Sequence, residues 1–148
     1  MKLPQIEITI KYKGSKKTEL TRINNSSDIY SILKEMFNAE IIDWQEQVIL
    51  ICLNQYNKVI GYYKVSVGGV QGTVCDPKII FTVALNCAGT TSIILSHNHP
   101  SGNLNPSNAD IEMTKKIKAG GLLLDIQLLD HIIYTEEGFY SMRDECQI

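Results

Sequence analysis

The stretch QVILICL at residues 47–53 is the strongest constraint on what this chain can fold into. After Gln47 every side chain is apolar or a thiol, so a strand here has no face to offer water. Such a strand runs through the middle of a sheet that is covered on both sides. TSIILSH at 91–97 repeats the pattern. Amphipathic helices are the natural cover. Residues Ile29, Ile32, Leu33, Met36 and Phe37 recur at i, i+3, i+4, i+7 and i+8, with Ser26, Ser27 and Asp28 as candidate N-caps. A second stripe, Ile80, Val83, Ala84, Cys87 and Ala88, follows Asp76-Pro77, a cap and a first-turn proline, and stops at Gly89. A third helix is expected from about Ser107 to Ala119, ending at Gly120-Gly121.

Other strands fill in the sheet. QIEITIKY at 5–12 alternates strictly, as a half-buried strand does, with a second short strand expected near Thr18–Ile23. NQYNK turns the chain and KVIGYYKVSV returns beside 47–53. LLLDIQLLDHIIY gives one or two more strands before the tail GFYSMRDE. Strands and helices interleave, so the expected class is α/β in the broad sense, an α+β mixed sheet flanked by helices. With 148 residues the chain suits one core. A strand-rich N-terminal extension over 1–27 is expected to pack on a single globular unit over 28–148.

Charge and cysteine usage narrow the function. The formal net charge is -2, which gives no general attraction for nucleic acid. The local exception, KYKGSKK with Arg22 beyond it, reads first as a solvated turn. A role for it in DNA contact would show as steep salt-dependent binding, lost on neutralising Lys11, Lys13, Lys16 and Lys17. None of Cys52, Cys75, Cys87 and Cys146 has CxxC spacing, and Cys52 and Cys87 read as buried thiols. A reducing, cytoplasmic setting is expected. MKLPQIEITIKYK has no signal-peptide h-region, and no apolar run approaches the roughly 20 residues that span a bilayer. The Gly-rich GGVQG lacks the Lys-Ser/Thr of a P-loop.

The chemistry concentrates in SHNHPSGNLNPSNAD, residues 96–110. His97 and His99 lie two apart at the end of an extended segment, so both imidazoles share one face and Asn98 points away. Pro100 biases His99 toward the extended conformation. The loop PSGNLNP reverses the chain, and Asp110 at a helix start can return a carboxylate to the pair. Two nitrogens and one oxygen make three ligands and leave a tetrahedral ion's fourth position open, the mark of a catalytic zinc site. Ser107 and Asp110 also read as a capping box, and the two readings are compatible. A zinc deaminase would require an H-x-E and P-C-x-x-C pair, which is absent.

The pattern His97-x-His99, seven residues, Ser107, two residues, Asp110 resembles the JAMM motif of JAB/MPN metalloproteases. HNHPSG with PSNAD and LLDHIIY resembles the RadC-like bacterial branch, over roughly Asp28 to the C-terminus. The resemblance implies a JAB/MPN, cytidine-deaminase-like architecture and one zinc ion per chain, held by His97, His99 and Asp110. It implies hydrolysis of an amide, peptide or isopeptide bond, with a peptide or protein as the substrate partner. The family also has a glutamate before a core strand. Glu35, Glu40, Asp43 and Glu46 compete on sequence alone, and the resemblance selects Glu46 as proton acceptor, with Ser107 as oxyanion donor. Asn54 stands where the family has aspartate, at the far end of that strand. Longer RadC relatives carry a helix-hairpin-helix region where this sequence has its strand-rich stretch. Asp130-His131 belongs to the resemblance without an implied role: His131 reads as a structural strand histidine or as a second-layer contact to a metal ligand. A nucleic-acid-associated repair or mobile-element protein, or a metal-bearing scaffold without catalysis, are the competing readings.

Overall fold

A computed structural model describes residues 3–14, 19–68 and 75–148. The two all-apolar stretches become the centre of the sheet: β1 is Gln47–Leu53 and, after β2 (Val59–Val67), β3 is Ser92–Asn98. Every residue of β1 and β3 is buried. β4 (Gln127–Tyr134) and the short β5 (Phe139–Ser141) complete a five-stranded sheet in the order β2-β1-β3-β4-β5. It is mixed: β1 is antiparallel to β2 and β3, β3 is parallel to β4, and β4 is antiparallel to β5. The β3–β4 register slips by one residue, from Ile93 opposite Leu128 to Ile94 opposite Asp130. Leu129 is the extra residue of that bulge.

Helices cover both faces, as the two-sided strands demand. Helix α1 (Ser26–Met36) packs Ile29, Leu33 and Met36 on Ile49, Ile51, Leu53, Ile94 and Ile132. On the other face α2 (Pro77–Asn86) and α3 (Asn108–Leu123) bury Ile80, Ala84 and Ile117 on Val48, Leu50, Cys52, Ile93 and Leu95. Strand parity thus sorts β1 and β3 into two rows, one per face. This is the mixed, helix-flanked α+β arrangement that the sequence resemblance implies.

Several local expectations are corrected. Asn25, not Ser26, Ser27 or Asp28, caps α1, and its side chain accepts from the Asp28 amide. Asp28 reaches back to the Asn24 amide, because a carboxylate one turn in serves the donors preceding the helix. Helix α3 runs through Gly120-Gly121 to Leu123, since neither glycine adopts positive φ and the left-handed residue is Asp125. No strand forms over 5–12. The segment pairs with neither edge of the sheet, β2 nor β5, and Ile6 and Ile8 are 85% and 66% exposed. Tyr12 does reach the body, with its hydroxyl 3.5 Å from Cys87 Sγ. Of the second expected N-terminal strand, the described part forms a single bridge, Arg22 to Lys58. Lys16, Lys17, Thr18 and most of GGVQG lie outside the described residues. Cys52, Cys75 and Cys87 are buried free thiols.

Candidate metal centre

The row of β3 that packs under α3 continues from Ile93 and Leu95 to His97, while Asn98 takes the opposite side. His99 follows the strand. Pro100 and Ser101 begin a turn that closes with the Gly102 amide on the His99 carbonyl at 3.0 Å, and Gly102 sits at φ 76, where a side chain is strained. The chain then reaches Ser107, the N-cap of α3, whose hydroxyl accepts the Asp110 amide at 3.1 Å. The Asp110 carboxylate in turn accepts the Ser107 amide and hydroxyl, each at 2.7 Å. The capping box therefore aims Asp110 at the histidines.

Three residues expected as ligands meet here. His97 Nε2 and His99 Nε2 are 3.0 Å apart. Asp110 places Oδ1 3.3 Å from His97 Nε2 and Oδ2 3.5 Å from His99 Nε2. One ligand atom from each lies within 4.8 Å of the others. Donor atoms 2.0–2.1 Å from one tetrahedral ion sit roughly 3.3 Å from each other, so the cluster has the dimensions of a zinc-type site. The donor set also calls for positive charge. His99 Nδ1 donates to the Asn103 carbonyl, which leaves Nε2 as the face turned to the cluster. Contact with Asp110 raises the His99 pKa against the pull of burial, helped by the Asn103 carbonyl and the charge of Glu46. Burial pushes the Asp110 carboxyl up, but His97, His99 and Ser107 together outweigh it and hold it far below the carboxylate range. The group stays ionised, ready for a cation.

Glu46 is half-buried immediately before β1. Val48 pairs with His97, so the antiparallel register carries Glu46 to the level of His99. It continues the Val48–Leu50–Cys52 row by alternation, which is the side His97 takes. Asn98 holds this entry to β1. Its side chain accepts the Gln47 amide at 2.7 Å and donates to the Ile42 and Gln45 carbonyls at 2.8 and 3.0 Å. Sequence reasoning assigned Asn98 only a direction; its role needed the 41–46 turn, which no periodicity announced. Asn98→Ala leaves three backbone groups without these partners, each costing about 1–3 kcal/mol when buried. We expect a loss of at least about 2 kcal/mol in chemical denaturation and faster amide exchange at Gln47. Unchanged exchange there would remove Asn98 from the support of Glu46.

His131, on β4, stands behind His97, with His97 Nδ1 and His131 Nε2 2.8 Å apart. Its other ring nitrogen is 2.6 Å from Thr114 Oγ1, one turn along α3 from Asp110. Asp130 points elsewhere. Its carboxylate accepts the Ser141 hydroxyl and the His131 and Arg143 amides, tying β4 to the turn after β5. Burial raises its pKa. A groove of about 530 Å³ lined by Cys75, Pro77, Ala109, Glu112, Met113, Lys115 and Lys116 lies beside the centre rather than over it.

Compared with known sequences, residues 23–147 match the RadC-like JAB domain. The chain belongs to the RadC-like JAB domain family. A UPF0758 protein of Flavobacterium johnsoniae is 43% identical over 127 residues, 86% of this chain and 54% of that protein. One from Carboxydothermus hydrogenoformans is 38% identical, over 82% of this chain and 52% of its own length. One from Enterococcus faecalis is 34% identical, over 95% and 59%. This RadC-like chain spans about half the length of the curated relatives it matches. Among the described residues no helix is long and apolar enough to cross a membrane.

Proposed function

We propose that this RadC-like domain is a metal-dependent hydrolase of the JAMM type that cleaves an amide, peptide or isopeptide bond. The convergence of His97, His99 and Asp110 within 4.8 Å carries the reading. Two imidazole nitrogens and one carboxylate suit zinc, with an open position left for chemistry. When bound, such an ion lowers the pKa of a water from 15.7 to about 7 and polarises a carbonyl.

The chain's own groups do the rest. Glu46 accepts a proton at its carboxylate and later delivers it to the departing amine nitrogen, a relay that a half-buried carboxylate can run in both directions. Its position at the level of His99 supports this role. Ser107 holds Asp110 through its hydroxyl at 2.7 Å. To donate to the oxygen of a tetrahedral intermediate, that hydroxyl rotates away from Asp110 Oδ2 while the Ser107 amide keeps the carboxylate in place at 2.7 Å. The substrate in this reading is a polypeptide or a peptide, and the protein works in the cytoplasm with its thiols reduced.

Metal analysis after purification and dialysis tests the proposal. We expect about one zinc per chain, and none in His97→Ala. A folded wild-type chain that stays metal-free after incubation with excess zinc overturns it.

A further inference from the structure

Behind the proposed ligand His97 runs a buried chain of hydrogen bonds whose direction can be deduced. Thr114 Oγ1 lies 2.6 Å from the Asp110 carbonyl and 2.6 Å from His131 Nδ1. A carbonyl only accepts, and two oxygens at 2.6 Å need a proton between them, so the single Thr114 proton points to Asp110. Thr114 Oγ1 is then the acceptor for His131, and the proton on that side belongs to His131 Nδ1. The 3.2 Å contact from Thr114 Oγ1 to Met142 Sδ is longer, to a weak acceptor, and does not compete.

The His131 ring is buried, and its two nitrogens meet only Thr114 and His97, with no carboxylate hydrogen-bonded to them among the described residues. A charge on it would be buried without a counter-charge in contact, so the ring is neutral. With its proton on Nδ1, Nε2 holds a lone pair aimed at His97 Nδ1, 2.8 Å away. His97 must therefore carry its own proton on Nδ1, and its Nε2 lone pair faces His99 and Asp110. We propose that Thr114 and His131 are positioning residues: through the chain Asp110 carbonyl, Thr114, His131, they set the tautomer of His97 that presents Nε2 to a divalent cation. The same helix turn that supplies Asp110 thus prepares a second ligand from behind. Partners of this kind hold ring orientation and raise ligand basicity, and their loss costs about 10–100-fold in metal affinity.

The inference rests on the metal reading above, but its tautomer can be read without metal. The experiment is histidine-selective ¹⁵N NMR of the metal-free protein, paired with zinc competition titrations against a chromophoric chelator. The wild type should show His131 with a proton on Nδ1 and a bare Nε2, and the His131 to His97 coupling of one donor and one acceptor. Thr114→Val keeps the shape of the side chain and removes the acceptor. It should move His131 toward the Nε2-protonated form and weaken zinc by about 10–100-fold. Thr114→Ser should restore both, which a packing role for the threonine methyl would not do. His131→Leu, which deletes the relay entirely, should lose zinc affinity to a similar degree while His99 keeps its contact with Asn103. Wild-type His131 protonated on Nε2, or Thr114→Val with unchanged tautomer and unchanged zinc affinity, overturns the inference. A wild type that shows the expected tautomer but binds no zinc instead overturns the hydrolase reading alone.

Discussion

Glu46→Gln is expected to retain its zinc and to lose turnover by about 10²–10⁴-fold. Glutamine fills the same volume and is not among the three converging ligands, so stoichiometry should stay at that of the wild type. It cannot accept a proton at the half-buried position before β1, and the barrier rises by roughly 3–5 kcal/mol. The measurement is single-turnover cleavage of any peptide that the wild-type chain cuts, alongside metal analysis of the same sample. His97→Ala serves as the contrast, losing metal and activity together. A Glu46→Gln protein with wild-type turnover would assign the proton to another group. Loss of metal in that variant would make Glu46 part of the metal's binding rather than of the chemistry.

Gly121→Ala should be the most damaging conservative change in the scaffold. A Cβ on Gly121 would stand 2.2 Å from the Ile126 carbonyl oxygen, and that oxygen belongs to backbone entering β4. The Gly121 carbonyl also accepts the Leu124 and Ile126 amides, at 3.1 and 2.9 Å, so the turn cannot shift without breaking them. The cost should reach or pass the upper end of the ~1–3 kcal/mol range for overpacking. Thermal denaturation should show a drop of roughly 10 °C, taking about 4 °C per kcal/mol for a chain of this size. Gly120→Ala makes the comparison. Its Cβ would meet the Phe81 ring at 2.8 Å, a side chain that can turn aside, and alanine favours the helix by about 1 kcal/mol. Equal melting points for the two variants would show that the turn yields as readily as the ring.

That pair also marks where the sequence was legible and where it was not. β1 and β3 could be read because a strand apolar on both faces has one place to go, and both are fully buried. The convergence of His97, His99 and Asp110 could be read because alternation places the two histidines together and the capping box at Ser107 gives Asp110 a direction. Gly120-Gly121 misled because glycine is also used for close approach, and only the tertiary contact with Ile126 distinguishes that from a helix stop. QIEITIKY misled because alternation describes a strand's faces but does not supply the backbone pairing that makes a strand, and the segment pairs with neither edge of the sheet. Glu46 needed a family resemblance, since Glu35, Glu40, Asp43 and Glu46 compete in the sequence, and only the β1–β3 register brings Glu46 to the level of His99. Thr114 carried no signal at all: a threonine within a helix becomes informative only when β4 brings a histidine to it.

The bulge at Leu129 has a consequence for how relatives of this chain can vary. Leu128 packs on the α2 and α3 side, and unbroken alternation would send Asp130 to that side and His131 to the other. The added residue shifts the phase of β4 by half a period, so His131 comes up beneath His97 instead. Which side the histidine serves is thus set by the bulge, not by side-chain chemistry. Straightening the bulge at constant length would trade the imidazole for a carboxylate, whereas deleting Leu129 would close it and leave Asp130 opposite Ile94 and His131 opposite Leu95. A relative one residue shorter here can therefore keep its histidine under the first imidazole, provided it has no bulge.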